Sequence, residues 1–304
     1  MDLKDIHADD YAVSVHASED LITCMQEEKL DSISVIPNMA CFDRCMDMLQ
    51  EVWQKLSKKP LISVHLNFME GHCISPVEEV KDLVDEKGYF KVSWGSLVLV
   101  SYYPGRRKTI MKQLQTEIEA QIERIQASLP EGCELRLDSH QHTHMIPVVF
   151  DAMIAAIEEK QYPITFIRVA REPIVPFLKK VSLYGSYNVI NIVKNVILNI
   201  YAGKVDRQLV KIGLQPTLLW GLIMTGHMDL ERVQKLYPAM LQYGRHKQKQ
   251  MEILFHPGTV LPTEITEEYV KAGFIEFHLS EGRKIERHAV DEMNWTDPQE
   301  AINE

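Results

Sequence analysis

The chain reads as an α/β protein of βα units around a mostly parallel sheet or barrel, and three observations lead there. Short β-rich runs alternate with helical patterns along its 304 residues. Hydrophobic residues make up 45% of the chain, ample for the core of one α/β domain of this length. The side chains able to do chemistry fall at the ends of the β-rich runs, where parallel α/β folds assemble their sites.

In order, the expected strands are 5–8 (DIHA), 32–37 (SISVIP), 62–67 (ISVHLN), 134–138 (ELRLD), 165–169 (TFIRV) and 252–255 (EILF, stopped by Pro257 and released by Gly258). Amphipathic helices are expected between them at 17–28, 42–55, 109–128, 146–160 and 230–243. The longest apolar tract, 181–202, carries Asn188, Asn191, Lys194, Asn195 and Asn199, which would be costly at a bilayer centre. It reads instead as an amphipathic helix whose stripe of Val189, Ile190, Val193, Val196, Ile197 and Ile200 packs on the core or on a second subunit. One domain over 1–304 is expected, with no internal repeat or low-complexity linker.

A formal net charge of −10 argues against a sequence-independent grip on nucleic acid, and Arg106-Arg107-Lys108 reads as a solvated turn. No basic segment followed by an apolar one opens the chain, so a cytoplasmic location is the expectation. The cysteines Cys24, Cys41, Cys45, Cys73 and Cys133 show no CxxC spacing and read as reduced.

Asp9-Asp10 follow the first strand, and adjacent carboxylates on an extended backbone should diverge. One can bind a metal while its neighbour acts as a base; equally, the pair can cap the helix that follows. His65 shares a strand face with Ser63 and Asn67. In DSHQHTH an extended backbone puts His140, His142 and His144 on one face about 6.6 Å apart, and an ion with bonds of about 2.1 Å takes two such neighbours but not three. A helix starting near Thr143 would alternatively carry His144 away. His256, at a strand end, suits a general acid. One Asp and two His around a divalent ion can polarise an amide or ester carbonyl and acidify water, so hydrolysis is the economical reaction class.

The motifs HADDYAVS, VIPN, SVHLNFMEG, LDSHQHTHMIP, RVARE, FHPG and LSEGRKIE, in that order, resemble the YdjC-like (ChbG-type) carbohydrate deacetylases from residue 7 to about 287. The resemblance implies a remodelled (β/α) barrel with outer helices, distantly similar to the NodB-type deacetylases. It implies removal of an N-acetyl group from chito-oligosaccharides, with magnesium or zinc as cofactor and a homodimeric assembly. Carried over by motif, the metal ligands are Asp10, His65 and His140, the base is Asp9 and the general acid is His256. His142 and His144 become orienting or substrate-binding groups, and Arg168 or Arg171 would hold Asp9 ionised, since a cation within about 4–6 Å lowers a carboxyl pKa. Trp94, Tyr102 and Tyr103 are expected either to stack on sugar rings or to pack. His7 and Tyr11-Ala12 depart from the pattern, and 173–230 matches no motif, so that segment is expected to set which sugar is accepted. Metal-dependent phosphoester hydrolysis and a non-catalytic sugar-binding regulator are the alternatives.

Overall fold

The computed structural model describes residues 3–129, 133–269 and 271–296. Seven strands, β1 (Lys4–Tyr11), β2 (Ser32–Val35), β3 (Leu61–Leu66), β4 (Leu135–Ser139), β5 (Ile164–Ile167), β6 (Leu218–Trp220) and β7 (Met251–Phe255), pair in the order β5-β4-β3-β2-β1-β7-β6, every pair parallel. Parallel neighbours need crossovers, and these are supplied by α1 (Val15–Gln26), α2 (Phe42–Trp53), α3 (Trp94–Ser101), α4 (Pro104–Ser128), α5 (Pro147–Lys160), α6 (Val175–Leu178), α7 (Val189–Lys211) and α8 (Leu230–Lys247), with α9 (Ala272–His278) and α10 (Glu281–Glu292) closing the described chain. The sheet curls into a half-barrel. Its edge strands β5 and β6 do not pair, but Leu219 N–H donates to the Arg171 carbonyl at 2.9 Å and ties the two edges.

Strand alternation divides the sheet into unlike faces. Outward, Ile6, Ala8, Ile33, Val35, Ile62, Val64 and Leu137 join one core with helix residues such as Leu21, Leu49, Ile118 and Met153. Burying each such aliphatic side chain contributes about 1.5–3 kcal/mol. Inward, Asp5, His7 and Asp9 of β1 face Ser32, Ser34, His65, Arg136 and Asp138, none more than 3% exposed. The barrel interior is therefore a packed polar network.

All six expected strands and five expected helices are present with shifted ends, and β6 and α3, α6, α9 and α10 are additions. Strand β6 is three residues long and lies inside the segment that matched no motif. The expected turn at Arg106-Arg107-Lys108 is the start of α4, which opens on Pro104, a residue suited to the first helical position. Arg107 there pairs with Asp151 of α5.

The 181–202 tract is not one helix. A short 3-10 turn, Val181–Ser186, precedes α7, which the Asn188 side chain caps by accepting from Ile190 N–H at 2.8 Å. The expected apolar stripe does not reach the core: Ile190 and Ile200 are 76% and 69% exposed, while Asn195, Leu198, Ala202, Val205 and Leu209 are buried. Hydrogen bonding explains the rotation. Glu172, buried after β5, accepts from Gly221 N–H (2.7 Å), Ile223 N–H (2.8 Å) and Asn195 Nδ2 (3.1 Å), and Asn199 Nδ2 donates to its carbonyl (3.0 Å). Burial pushes the Glu172 carboxyl up to about 7 against the pull of those amides. Gly221 is required where it stands, with φ +139 and a Cβ that would sit 2.6 Å from the Leu254 carbonyl oxygen. Among the described residues no helix is long and apolar enough to cross a membrane.

Candidate metal centre and catalytic site

The end of β1 does not stay extended. Asp10 has φ +70, and the register with β2 shifts between Ala8 and Tyr11. That irregularity overturns the expected divergence of the two carboxylates. Asp9 Oδ2 and Asp10 Oδ1 both approach His65 Nε2, at 3.9 and 3.6 Å. The capping role goes elsewhere, to Ser14, whose hydroxyl accepts from Ala17 N–H at 3.1 Å.

His65 lies on β3 opposite Asp138 of β4. Its Nδ1–H donates to Asp138 Oδ1 at 2.6 Å, which leaves the Nε2 lone pair facing Asp10. That Nε2 is buried and has no hydrogen-bond partner. His140 completes the corner, with Nδ1 3.1 Å from Asp10 Oδ1. Ligand atoms of Asp10, His65 and His140 thus lie within 4.8 Å of one another, as one ion requires. The electrostatics suit a cation, because the buried carboxylates of Asp9, Asp10, Glu70, Asp138 and Glu252 face two buried guanidinium groups, Arg168 and Arg283. Burial alone would raise the Asp10 carboxyl; Arg283 and His140 hold it well below the usual range. Burial would lower His140, whereas Asp10 and Glu70 raise it to about 9.

The three histidines of DSHQHTH share no face. Strand β4 ends at Ser139, and a 3-10 turn follows in which Gln141 and His142 take left-handed conformations, φ 55 and 56. His140 goes to Asp10. His142 lies between Arg168, Lys194 of α7 and Asp9; burial and the two cations hold it well below its ordinary pKa, and its buried Nδ1 has no partner. His144 faces away: Nε2–H donates to the Arg168 carbonyl at 3.0 Å and Nδ1 accepts from the Ser139 hydroxyl at 2.6 Å. Burial pushes it down to about 4, so it is a neutral latch on the Arg168 backbone.

Of the two arginines, Arg168 alone reaches Asp9. Its guanidinium is wholly buried and grips the carboxylate through both terminal nitrogens, Nη1 to Oδ2 at 3.0 Å and Nη2 to Oδ1 at 2.8 Å, while Nε holds Glu252 at 2.8 Å. Burial would raise the Asp9 carboxyl; Arg168, with His65 and His7, holds it well below the ordinary range. Arg171 turns outward to Asp206 of α7, at 3.0 Å. At the end of β7, His256 meets Glu286 of α10: its backbone N–H donates to Glu286 Oε2 at 2.6 Å and its Nδ1 lies 3.3 Å from the same oxygen. Of the aromatic residues singled out, Tyr102 and Tyr103 are 66% and 59% exposed near the start of α4, and Trp94 opens α3.

Several residues of the site were not among those expected. Asp138 and Glu70 lie inside quoted motifs, and Asp138 was findable, being in phase with Arg136 on an alternating strand. His7 bridges Ser32 (2.6 Å) and Asp9 (3.0 Å), which strand phase would also have suggested. His278, Arg283 and Glu286 arrive on α9 and α10; Arg283 and Glu286 also lie inside a quoted motif, LSEGRKIE, and no local spacing marks His278.

The fold and site define a half-barrel of parallel strands with an Asp-His-His corner beside a second, arginine-bound aspartate. The family model described as YdjC-like protein matches residues 6–295, and the chain belongs to that family. Among curated relatives, a carbohydrate deacetylase of Thermoanaerobacter pseudethanolicus is 25% identical over 171 residues, 56% of this chain and 62% of the relative. Carbohydrate deacetylases of Geobacillus stearothermophilus (26% over 172 residues, 56% and 62%) and Danio rerio (22% over 168 residues, 55% and 50%) are similar too. The alignments thus span about half to three fifths of those relatives' lengths. A crystal structure from Enterococcus faecalis V583, provisionally described as a cellobiose-phosphate cleavage protein, shares the fold with a TM-score of 0.58 at 19% identity, covering 98% of both chains.

Proposed function

We propose that the protein is a metal-dependent carbohydrate deacetylase that removes the N-acetyl group from N-acetylglucosamine-containing oligosaccharides of the chito-oligosaccharide type. The observation that carries this reading is the corner at Asp10 Oδ1, 3.6 Å from an unpartnered His65 Nε2 and 3.1 Å from His140 Nδ1, with Asp9 alongside. The names of the curated relatives support the substrate class. A divalent cation held by Asp10, His65 and His140 would supply Lewis acidity to the acetamide carbonyl, and two imidazoles with one carboxylate favour zinc over magnesium.

The chain's own groups do the rest. Asp9, kept ionised and fixed in one rotamer by Arg168, takes the proton of the water that attacks the carbonyl carbon. As the carbon–nitrogen bond breaks, His256 gives a proton to the departing sugar amine. Glu286 beside Nδ1 leaves Nε2 as the atom that donates. A homodimer through the exposed face of α7 is part of the proposal, supported by the apolar side chains that helix leaves in solvent.

The test is acetate release from N-acetylated chito-oligosaccharides by the full chain supplied with zinc, magnesium, manganese or cobalt. Asp9→Asn should lower the rate by about 10²–10⁴-fold while ion binding persists. No release with any of these ions across a panel of such sugars would overturn the proposal, and full activity in the variant would remove Asp9 from its role.

A further inference from the structure

We propose that Glu70 is the positioning residue of the His140 imidazole, held in that task by a relay from Arg283 through His278; this rests on the metal reading of the Asp10, His65 and His140 corner. Arg283 has donors only, and its Nη2 lies 2.9 Å from His278 Nδ1, so that nitrogen accepts and the ring proton sits on Nε2. Nε2–H then donates to Glu70 Oε2 at 2.9 Å. The same oxygen is 3.4 Å from His140 Nε2, and the two rings stack with centroids 6.2 Å apart at 23°.

The nitrogens of His140 thereby divide their tasks. Both face carboxylates, Nδ1 toward Asp10 at 3.1 Å and Nε2 toward Glu70 at 3.4 Å; an ion at the corner would replace the proton between Nδ1 and Asp10 and leave Nε2–H to Glu70. The arrangement mirrors His65, whose Nδ1 is held by Asp138 and whose Nε2 faces the corner. Each imidazole of the corner is thus backed by its own buried carboxylate, which fixes ring orientation and raises ligand basicity. Arg283 also donates to Asp10 Oδ2, so one guanidinium steadies the remaining ligand and the relay together.

The backbone is built to keep Glu70 in place. After β3, Asn67 Oδ1 accepts from Met69 N–H (2.9 Å) and Glu70 N–H (3.2 Å), folding the chain back into the site. The amides of Asn67 and Asn38 both donate to the Glu70 carbonyl, at 3.0 and 2.9 Å. The motifs VIPN and HLNFMEG meet at this point.

Glu70, His140 and His278 are themselves close enough to hold an ion, with ligand atoms within 4.8 Å. The tautomer argues against that use, because His278 presents a proton and not a lone pair to Glu70. The third such group among the described residues, His7, Asp9 and Asp138, is already occupied by the Arg168 guanidinium, so one ion is expected at Asp10, His65 and His140, with Glu70 outside its ligand set.

Calorimetric titration of the metal-free full chain with zinc, together with nitrogen-15 NMR of the histidine rings, tests this. The unmodified protein should bind one equivalent, with His140 ligating through Nδ1, His65 through Nε2, and His278 protonated at Nε2. Glu70→Gln should weaken zinc binding about 10–100-fold. Ligation through His140 Nε2, a second equivalent, or a His278 proton on Nδ1 overturns the proposal without any variant having to fold. Unchanged affinity in a folded Glu70→Gln overturns the positioning role alone and leaves the metal reading standing. Failure of the unmodified protein to bind an ion brings down both.

Discussion

The inner rim of the half-barrel and helix α7 break the usual rule of burial in opposite directions. At the rim, Asp9, Asp138, Glu252 and Arg168 are buried with at most 3% exposure; on α7, Val189, Ile190 and Ile200 stand in solvent while Asn195 is buried. The rim tolerates its charges because they are paired: Arg168 contacts Asp9, Asp138 and Glu252 at once. Helix α7 is oriented by Glu172 and the two asparagines that meet it, and its apolar residues on the far side are left over. Hydrogen-bond satisfaction outranks apolar patterning in both places, since an unpaired buried polar group costs more than an exposed valine.

The rim should break hardest. Arg168→Met leaves three carboxylates buried around a neutral side chain, and urea unfolding should register a loss of about 3–5 kcal/mol. A loss under 1 kcal/mol would mean that these charges are already relieved by water. On α7, Leu198→Ala should cost about 2–5 kcal/mol by the same measurement, because Leu198 is fully buried against the core.

Acid should then separate the two regions without mutation. The Asp9 and Asp10 carboxyls are held below their ordinary values, so their folded pKa values lie under the unfolded value of about 3.9. Their stabilising contribution is complete above that pH and is lost as pH falls through the lowered folded values. The stability curve of Asp10→Asn should be flatter than that of the unmodified chain in this acid window; parallel curves would sink the assignment. The smallest effect belongs to Ile190→Ser, which should change monomer stability by no more than about 0.5 kcal/mol. If it also leaves the sedimentation of the protein unaltered, this face of α7 is not the dimer contact.

Much of the architecture was legible because strand alternation is a local signal. The run ISVHLN sends Ile62 and Val64 to the core and His65 to the interior, and the βα alternation implies parallel pairing. Asp9, Asp10, His65, His140, Arg168 and His256 stand at strand ends, and the structure gathers them on one rim, whereas Arg171 leaves it. Strand β6 was missed because three residues carry no period. The stripe on α7 misled because apolar spacing says which residues share a helix face and not which face docks.

By itself the sequence determined the parallel α/β class and the strand-end location of the polar residues, while the choice of His140 over His142 and His144 came from the resemblance to the YdjC-like deacetylases. Those properties rest on side-chain alternation over a few residues and on motifs that persist in linear order. Tertiary structure alone decided that Asp10 turns back toward His65 through a left-handed backbone, that His144 is a latch, and that Glu70, His278 and Arg283 stand behind the corner. Each depends on groups as far as 273 positions apart meeting in a desolvated space, as Arg283 and Asp10 do. There charge and tautomer are set by what lies across the gap, and neighbours along the chain carry no trace of it.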